Sequence, residues 1–200
     1  MNIRTRILEQ ASKMFFENGI RSITMDDISE ALGMSKRTLY ESFSNKEELL
    51  KECIEYQYEK NLQIRQQIEE SHKEDPLEVI NQHFRHMMAA LNSIHPGFLQ
   101  DIQKYHSSLW NEHVKSKQDQ DIAYTRSVME RGIEKGLFRI EADTDILSKM
   151  IHSLMPLMLS SALFPETSYT RTEVYRQVLL TFIRGMATPE GLLKIDNKFQ

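Results

Sequence analysis

Within the run Ser35-Lys36-Arg37-Thr38-Leu39-Tyr40, two long cations, two hydroxyls and a phenol lie within two turns of a helix. Leu39 and Phe43, four apart, form the apolar pair of that helix, so Arg37 and Thr38 project away from it and Lys36 and Tyr40 run along a flank. An arginine can pair bidentately with O6 and N7 of guanine, and a threonine can touch a thymine methyl or a base acceptor. The Tyr40 hydroxyl suits a phosphate oxygen. Lys46, at the start of the next helix, adds charge beside free backbone N–H groups, a second phosphate contact.

These side chains need a frame, and the sequence before them supplies one. Ile3, Ile7, Ala11, Met14 and Phe15 form one helical stripe that stops at Gly19. Thr24 caps a short second helix, with Asp26 and Asp27 in its first turn and Asp27 in the third position of a capping box. Gly33 breaks that helix, Ser35 caps the third, and Ser44 and Asn45, with Glu47 and Glu48, open a long fourth helix. The second and third helices form a helix-turn-helix, whose second member enters the DNA major groove by its N-terminal side chains.

Beyond residue 50 the pattern stays helical. Asp75-Pro76 opens a helix toward Leu91, and His95-Pro96-Gly97 breaks the chain before a stretch running to about Trp110. A helix carrying Ile122, Val128, Met129 and Ile133 ends at Gly136. Asp143 and Thr144 cap a very apolar helix through Leu147, Ile151, Leu154 and Met158. Pro165 to Thr170 reads as a loop, and Val174, Val178, Phe182 and Ile183 mark a last long helix stopping near Gly185. No repeat, low-complexity tract or alternating strand pattern is visible. The fold class expected is all-α: a three-helix helix-turn-helix domain over 1–50, then a helical bundle for ligand binding and dimerisation over 51–200.

Composition excludes several other chemistries. The net charge of −4 rules out a globally basic coat, and through residue 50 seven cations face eight anions, so any basic patch depends on placement. Arg4, Arg6, Lys36, Arg37 and Lys46 can share one surface. The single cysteine, Cys53, permits no internal disulfide and no cysteine-rich zinc pattern, and is expected to be a small buried hydrophobe. All 7 histidines lie beyond residue 70, but only Glu69 and His72 make the Glu-x-x-His unit of which a di-metal bundle needs two. There is no nucleophile elbow and no glycine-rich phosphate loop. We therefore expect no catalytic centre, no cofactor and no metal. The apolar stretch from Leu154 to Phe164 is shorter than the roughly twenty residues a membrane span requires. Arg4, Arg6, Glu9 and Lys13 stand where a signal peptide would be apolar, so a cytoplasmic protein is expected.

The runs Thr24-Met25-Asp26-Asp27-Ile28, Gly33-Met34-Ser35-Lys36-Arg37-Thr38-Leu39-Tyr40, then Phe43 and Asn45-Lys46-Glu47-Glu48-Leu49-Leu50, resemble the DNA-binding region of TetR-family transcriptional regulators. Weaker echoes are Gly132-Ile133-Glu134-Lys135-Gly136-Leu137-Phe138 and Arg184-Gly185-Met186. The resemblance implies a homodimeric regulator, usually a repressor, that binds a double-stranded operator and a small effector. It implies that Lys36, Arg37 and Thr38 face bases while Tyr40 and Lys46 meet phosphates. Thr24 and Ser35, the two capping hydroxyls, complete the candidate DNA contacts. Arg37 stands where many members carry a small residue. Glu41 would be repelled by phosphate unless it accepts from a cytosine N4 or lies in solvent.

Of the 11 methionines most must be core, but methionine and aromatic side chains also line helical pockets. Phe84, Met87, Met88, Phe98, Tyr105, Trp110, Tyr124 and Met155 are the candidates for an apolar or amphipathic effector. A different reading, a helical small-molecule- or metal-binding protein with a purely structural head, leaves Lys36, Arg37 and Tyr40 outside the core without a purpose.

Overall fold

The computed structural model describes residues 2–95, 97–109, 111, 117–160 and 162–199. Among them the chain is helical: α1 (Ile3–Asn18), α2 (Met25–Ala31), α3 (Lys36–Ser42), α4 (Lys46–His72), α5 (Pro76–Ser93), α6 (Phe98–Tyr105), α7 (Ser107–Leu109), α8 (Gln118–Glu134), α9 (Thr144–Met158), α10 (Arg171–Met186) and α11 (Pro189–Lys198). The expected all-α class holds, and the only extended pairing among the described residues is one bridge between Phe138 and Ala187. No helix is long and apolar enough to cross a membrane, among the described residues. The chain divides into two compact units, Met1–Ile64 with Ser93–Ser116, and Arg65–Asn92 with Lys117–Gln200.

In the first unit the α1 stripe of Ile7, Ala11 and Phe15 is fully buried against Ile28, Leu39, Phe43, Leu49, Leu50 and Cys53. Each of the large aliphatic and phenylalanine side chains among them contributes about 1.5–3 kcal/mol by leaving water. The same core takes in Phe98, Ile102 and Leu109 from α6 and α7, with Phe98 stacked on Phe16 at 4.2 Å between ring centres. The His95 backbone N–H donates to the Phe16 carbonyl, which fixes the start of that segment.

The second unit is built on Leu77 and Phe84 of α5, Met129 of α8, Ile151 and Met158 of α9, and Tyr175, Leu180 and Ile183 of α10. The helix caps read from sequence are present: Asp75 accepts from Glu78 N–H at 3.1 Å and Asp143 from Ile146 N–H at 3.0 Å. The last long helix stops near Gly185, as expected, and a shorter helix beyond it was not expected. Helix α10 runs through Gly185 to Met186, and α11 follows, capped by Thr188 with Pro189 in its first turn. Ile195 and Phe199 bury against the core, and Lys198 reaches both Asp75 and Glu78 at 2.8 and 2.7 Å.

The two weaker sequence echoes meet here. Arg139 N–H donates to the Met186 carbonyl, and Thr188 N–H to the Leu137 carbonyl, at 2.9 and 3.0 Å. This places the Phe138 ring against α8, where a Cβ on Gly132 would lie 2.2 Å from a ring carbon. Phe138 is itself buried and has little room to retreat. Gly132→Ala is therefore expected to destabilise the second unit by about 1–3 kcal/mol through overpacking. Chemical denaturation followed by circular dichroism checks this; an unchanged midpoint contradicts the contact.

Candidate nucleic-acid interface

Every element around α3 is locally determined. The Thr24 hydroxyl accepts from Asp27 N–H at 3.2 Å, while the Asp27 carboxylate accepts from the Thr24 N–H and hydroxyl at 2.7 and 2.6 Å. These bonds hold the Asp27 carboxyl below the usual range. Gly33 turns the chain with φ of +61°, a left-handed conformation that costs other residues about 1–2 kcal/mol. Ser35 then caps α3, accepting from Thr38 N–H at 3.1 Å and bonding the Thr38 hydroxyl at 2.8 Å. Asn45 caps α4 by accepting from Glu48 N–H at 2.9 Å, and Glu48 reaches back to Ser44 N–H at 2.8 Å.

Leu39 and Phe43 are buried, as their spacing requires, which leaves Ser35, Lys36, Arg37 and Tyr40 exposed and Thr38 half-buried along α3. Tyr40 is 48% exposed. Lys46 is half-buried, its ammonium 5.9 Å from the centre of the Phe15 ring. Burial lowers its pKa, while Asp101 and Asp27 pull the other way. Thus the proposed DNA contacts Thr24, Ser35, Lys36, Arg37, Thr38, Tyr40 and Lys46 all belong to the capped turns and helices of the first unit. Thr24 and Ser35 spend their hydroxyls on caps.

The shared basic surface is smaller than the sequence suggests. Arg4 donates to the carbonyl of Ser42, the last residue of α3, at 2.7 Å; it also pairs with Glu52 and lies 4.2 Å over the Phe43 ring. Arg6 donates to the carbonyl of Leu32, the C-cap of α2, at 2.6 Å. Both arginines of α1 thus close the C-terminal ends of the two helices in the helix-turn-helix, where a cation complements the helix dipole. Lys36 is tied to Asp26 at 2.5 Å and Arg37 to Glu41 at 2.8 Å. The pair with Asp26 pushes the Lys36 pKa up, so that side chain stays charged.

The candidate effector residues do not form one cluster. Phe98 and Tyr105 belong to the first unit, Phe98 inside its core and Tyr105 half-exposed under the Arg21 guanidinium. Trp110 lies outside the described residues. Phe84, Met87, Met88, Tyr124 and Met155 belong to the second unit. Phe84 packs between Tyr175 and Phe199, and the three methionines are half-buried at the edge of the same core.

Tyr124 leads to a polar chain that sequence reading missed. Its hydroxyl donates to Glu69 at 2.7 Å and meets His83 Nε2 at 2.8 Å, and Glu69 also accepts from Arg131 at 2.7 and 2.8 Å. Burial would raise the Glu69 pKa, but the Arg131 and Tyr124 hydrogen bonds bring it below the ordinary value. Burial, assisted by Arg65, pushes His83 down to about 4. An unfolded histidine titrates near 6.5, so between pH 6.5 and 4 the unfolded chain binds a proton that the folded chain refuses. Stability is full above that window and falls as pH drops through it, by up to about 1.4 kcal/mol per pH unit. His152, also lowered by burial, acts in the same direction. Urea midpoints at pH 7 and 5 are expected to separate less in His83→Asn than in the native chain; equal separation contradicts the assignment.

No group of three or more His, Cys, Asp or Glu is placed to hold a metal, among the described residues. Cys53 is buried, and burial pushes its thiol pKa up to about 12, opposite to what a reactive thiolate needs.

The capped helix-turn-helix is also what comparison detects. The family model for bacterial regulatory proteins of the tetR family matches residues 7–53. Those residues carry a TetR-type DNA-binding region. It is 32% identical over 105 residues to the uncharacterized HTH-type transcriptional regulator YvaF of Bacillus subtilis, covering 52% of this chain and 55% of YvaF, about half of that relative's length. It is 27% identical over 151 residues to the HTH-type transcriptional repressor KstR2 of Mycobacterium tuberculosis, covering 74% of this chain and 75% of KstR2. The solved structure of the ketosteroid transcriptional regulator KstR2 aligns with TM-score 0.62 at 25% identity, over 94% of this chain and 96% of that one. A TetR-family regulator from Marinobacter aquaeolei VT8 aligns with TM-score 0.70 at 20% identity over 100% and 98%, a likeness of fold alone.

Proposed function

We propose that this chain is a homodimeric, cytoplasmic repressor that holds a near-palindromic DNA operator and releases it when a small apolar or amphipathic effector binds its C-terminal part. The observation that carries the reading is α3, a short helix whose buried face is Leu39 and Phe43 and whose solvent face is Lys36, Arg37 and Tyr40. Residues 1–50 read the DNA; residues 51–200 dimerise and take the effector. Arg37 and Thr38 meet base edges, with Lys36 beside them, while Tyr40 and Lys46 hold phosphates. KstR2 is described as a ketosteroid regulator, and such a ligand suits the half-buried Met87, Met88 and Met155. The effector acts by preferring one of two conformations, passed along α4 as it leaves the first unit.

The dimer surface follows from α9. Ile146, Met150, Ser153 and Leu157 recur at intervals of four, three and four residues, and the three large members are half-exposed or more. On the same helix Ile151 and Met158 are buried, packed with Val174 in the protomer's own core. The test is a gel shift of the full chain on duplexes enriched from random sequence, then titration with steroid and long-chain acyl amphiphiles. The reading expects a tight complex that one amphiphile class dissolves. An effector that tightens the complex would make the chain a corepressor-type regulator and overturn the release mechanism.

A further inference from the structure

Glu41 stands one turn beyond Arg37, and the contact between them is specific in its atoms. The Arg37 Nε donates to Glu41 Oε1 at 2.8 Å, with the two side chains 88% and 61% exposed. The two terminal nitrogens of Arg37 have no hydrogen-bond partner among the described residues. A guanidinium offers planar edges, each with two donors. Occupying Nε closes the side-on edge and leaves the end-on edge, formed by the two terminal nitrogens, open. That remaining fork matches O6 and N7 of guanine.

We propose that Glu41 is a positioning residue that orients the Arg37 guanidinium for end-on reading of one guanine in each operator half-site. The inference rests on the reading of α3 as the recognition helix. It differs from the two arrangements open to Glu41 on sequence grounds, direct acceptance from a cytosine N4 or idle solvation. An exposed i,i+4 pair contributes little to the stability of the free protein. Its effect lies in the complex: Arg37 reaches the groove with fewer rotamers to lose, and the carboxylate approaches the phosphates already paired. Lys36 is paired differently. Its ammonium is a point charge held by Asp26 across the turn, with no planar fork left to present. Of these two cations, Arg37 keeps a planar two-donor edge while paired.

The test profiles base preference by sequencing duplexes bound by the native chain, Glu41→Ala, Glu41→Gln, Arg37→Ala, and each Glu41 change combined with Arg37→Ala. Glutamine keeps an acceptor oxygen but not the charge, whereas alanine keeps neither. The native chain is expected to prefer guanine at one position per half-site. Glu41→Ala should lower that preference about fivefold, with Glu41→Gln in between, and neither should change the profile once Arg37 is alanine. Equal tightening of operator and random duplex by both Glu41 changes, with the guanine preference kept, overturns the proposal in favour of simple charge removal. A cytosine preference that Glu41→Ala removes even without Arg37 overturns it in favour of direct contact. If Arg37→Ala alone leaves the profile intact, the underlying assignment of Arg37 fails, and the positioning role with it. Both sites are exposed, so a thermal midpoint near the native value accompanies every result that supports the proposal.

Discussion

Replacing Arg37 by alanine is expected to weaken operator binding by about 1–3 kcal/mol per half-site and to relax preference at one base position in each. The side chain leaves the first turn of α3, is 88% exposed, and is held only by Glu41 among the described residues. Lys46 provides the contrast. Its stem is half-buried and its ammonium stands by Phe15 at the start of α4, a placement suited to a phosphate rather than a base edge. Lys46→Gln, which keeps most of the stem, should weaken operator and random duplex alike and lower the salt slope by about one per protomer. Titrations of both variants on both duplexes across salt separate the roles. If each change reduces the two affinities by one common factor, both residues supply only diffuse charge.

The combined change Met150→Glu and Leu157→Glu is expected to leave a folded monomer with operator affinity at least about 100-fold weaker, because joining two heads makes the second half-site contact intramolecular. Met150 is 47% and Leu157 49% exposed, so neither substitution opens the second core. On a two-fold interface the pair of substitutions sets four carboxylates against apolar neighbours, and unpaired buried charge is strongly unfavourable. Light scattering at micromolar concentration reads the mass. A native chain that is already monomeric, or a variant that remains dimeric, contradicts the use of this α9 face.

The legible part of the molecule is the part governed by near neighbours in sequence. Thr24 with Asp27, Ser35 with Thr38, and Asn45 with Glu48 are three residues apart, so caps and turns could be placed from residue types alone. The buried pair Leu39 and Phe43 fixed which face of α3 meets solvent, and with it Lys36, Arg37 and Tyr40. What failed depends on distant partners. Arg4 and Arg6 read as surface charge because Ser42 and Leu32, the carbonyls they hold, lie 38 and 26 residues away. Nothing in the segment of Phe98 and Tyr105 shows that Phe16 and Arg21 are their neighbours. The Glu69–Tyr124–His83 chain joins three helices, and no spacing within any one of them announces it. Helix α11 carries the same local signals: Thr188-Pro189-Glu190 is a cap, a first-turn proline and a first-turn acid.

Selection of bound duplexes from a random library with the native chain most directly tests the claim that α3 reads DNA from a symmetric pair of heads. The predicted product is a near-palindrome with half-site centres about 10–10.5 base pairs apart or a multiple of that, and one matching guanine in each half. An asymmetric single site, or a pool no richer in any sequence than the starting library, would contradict it.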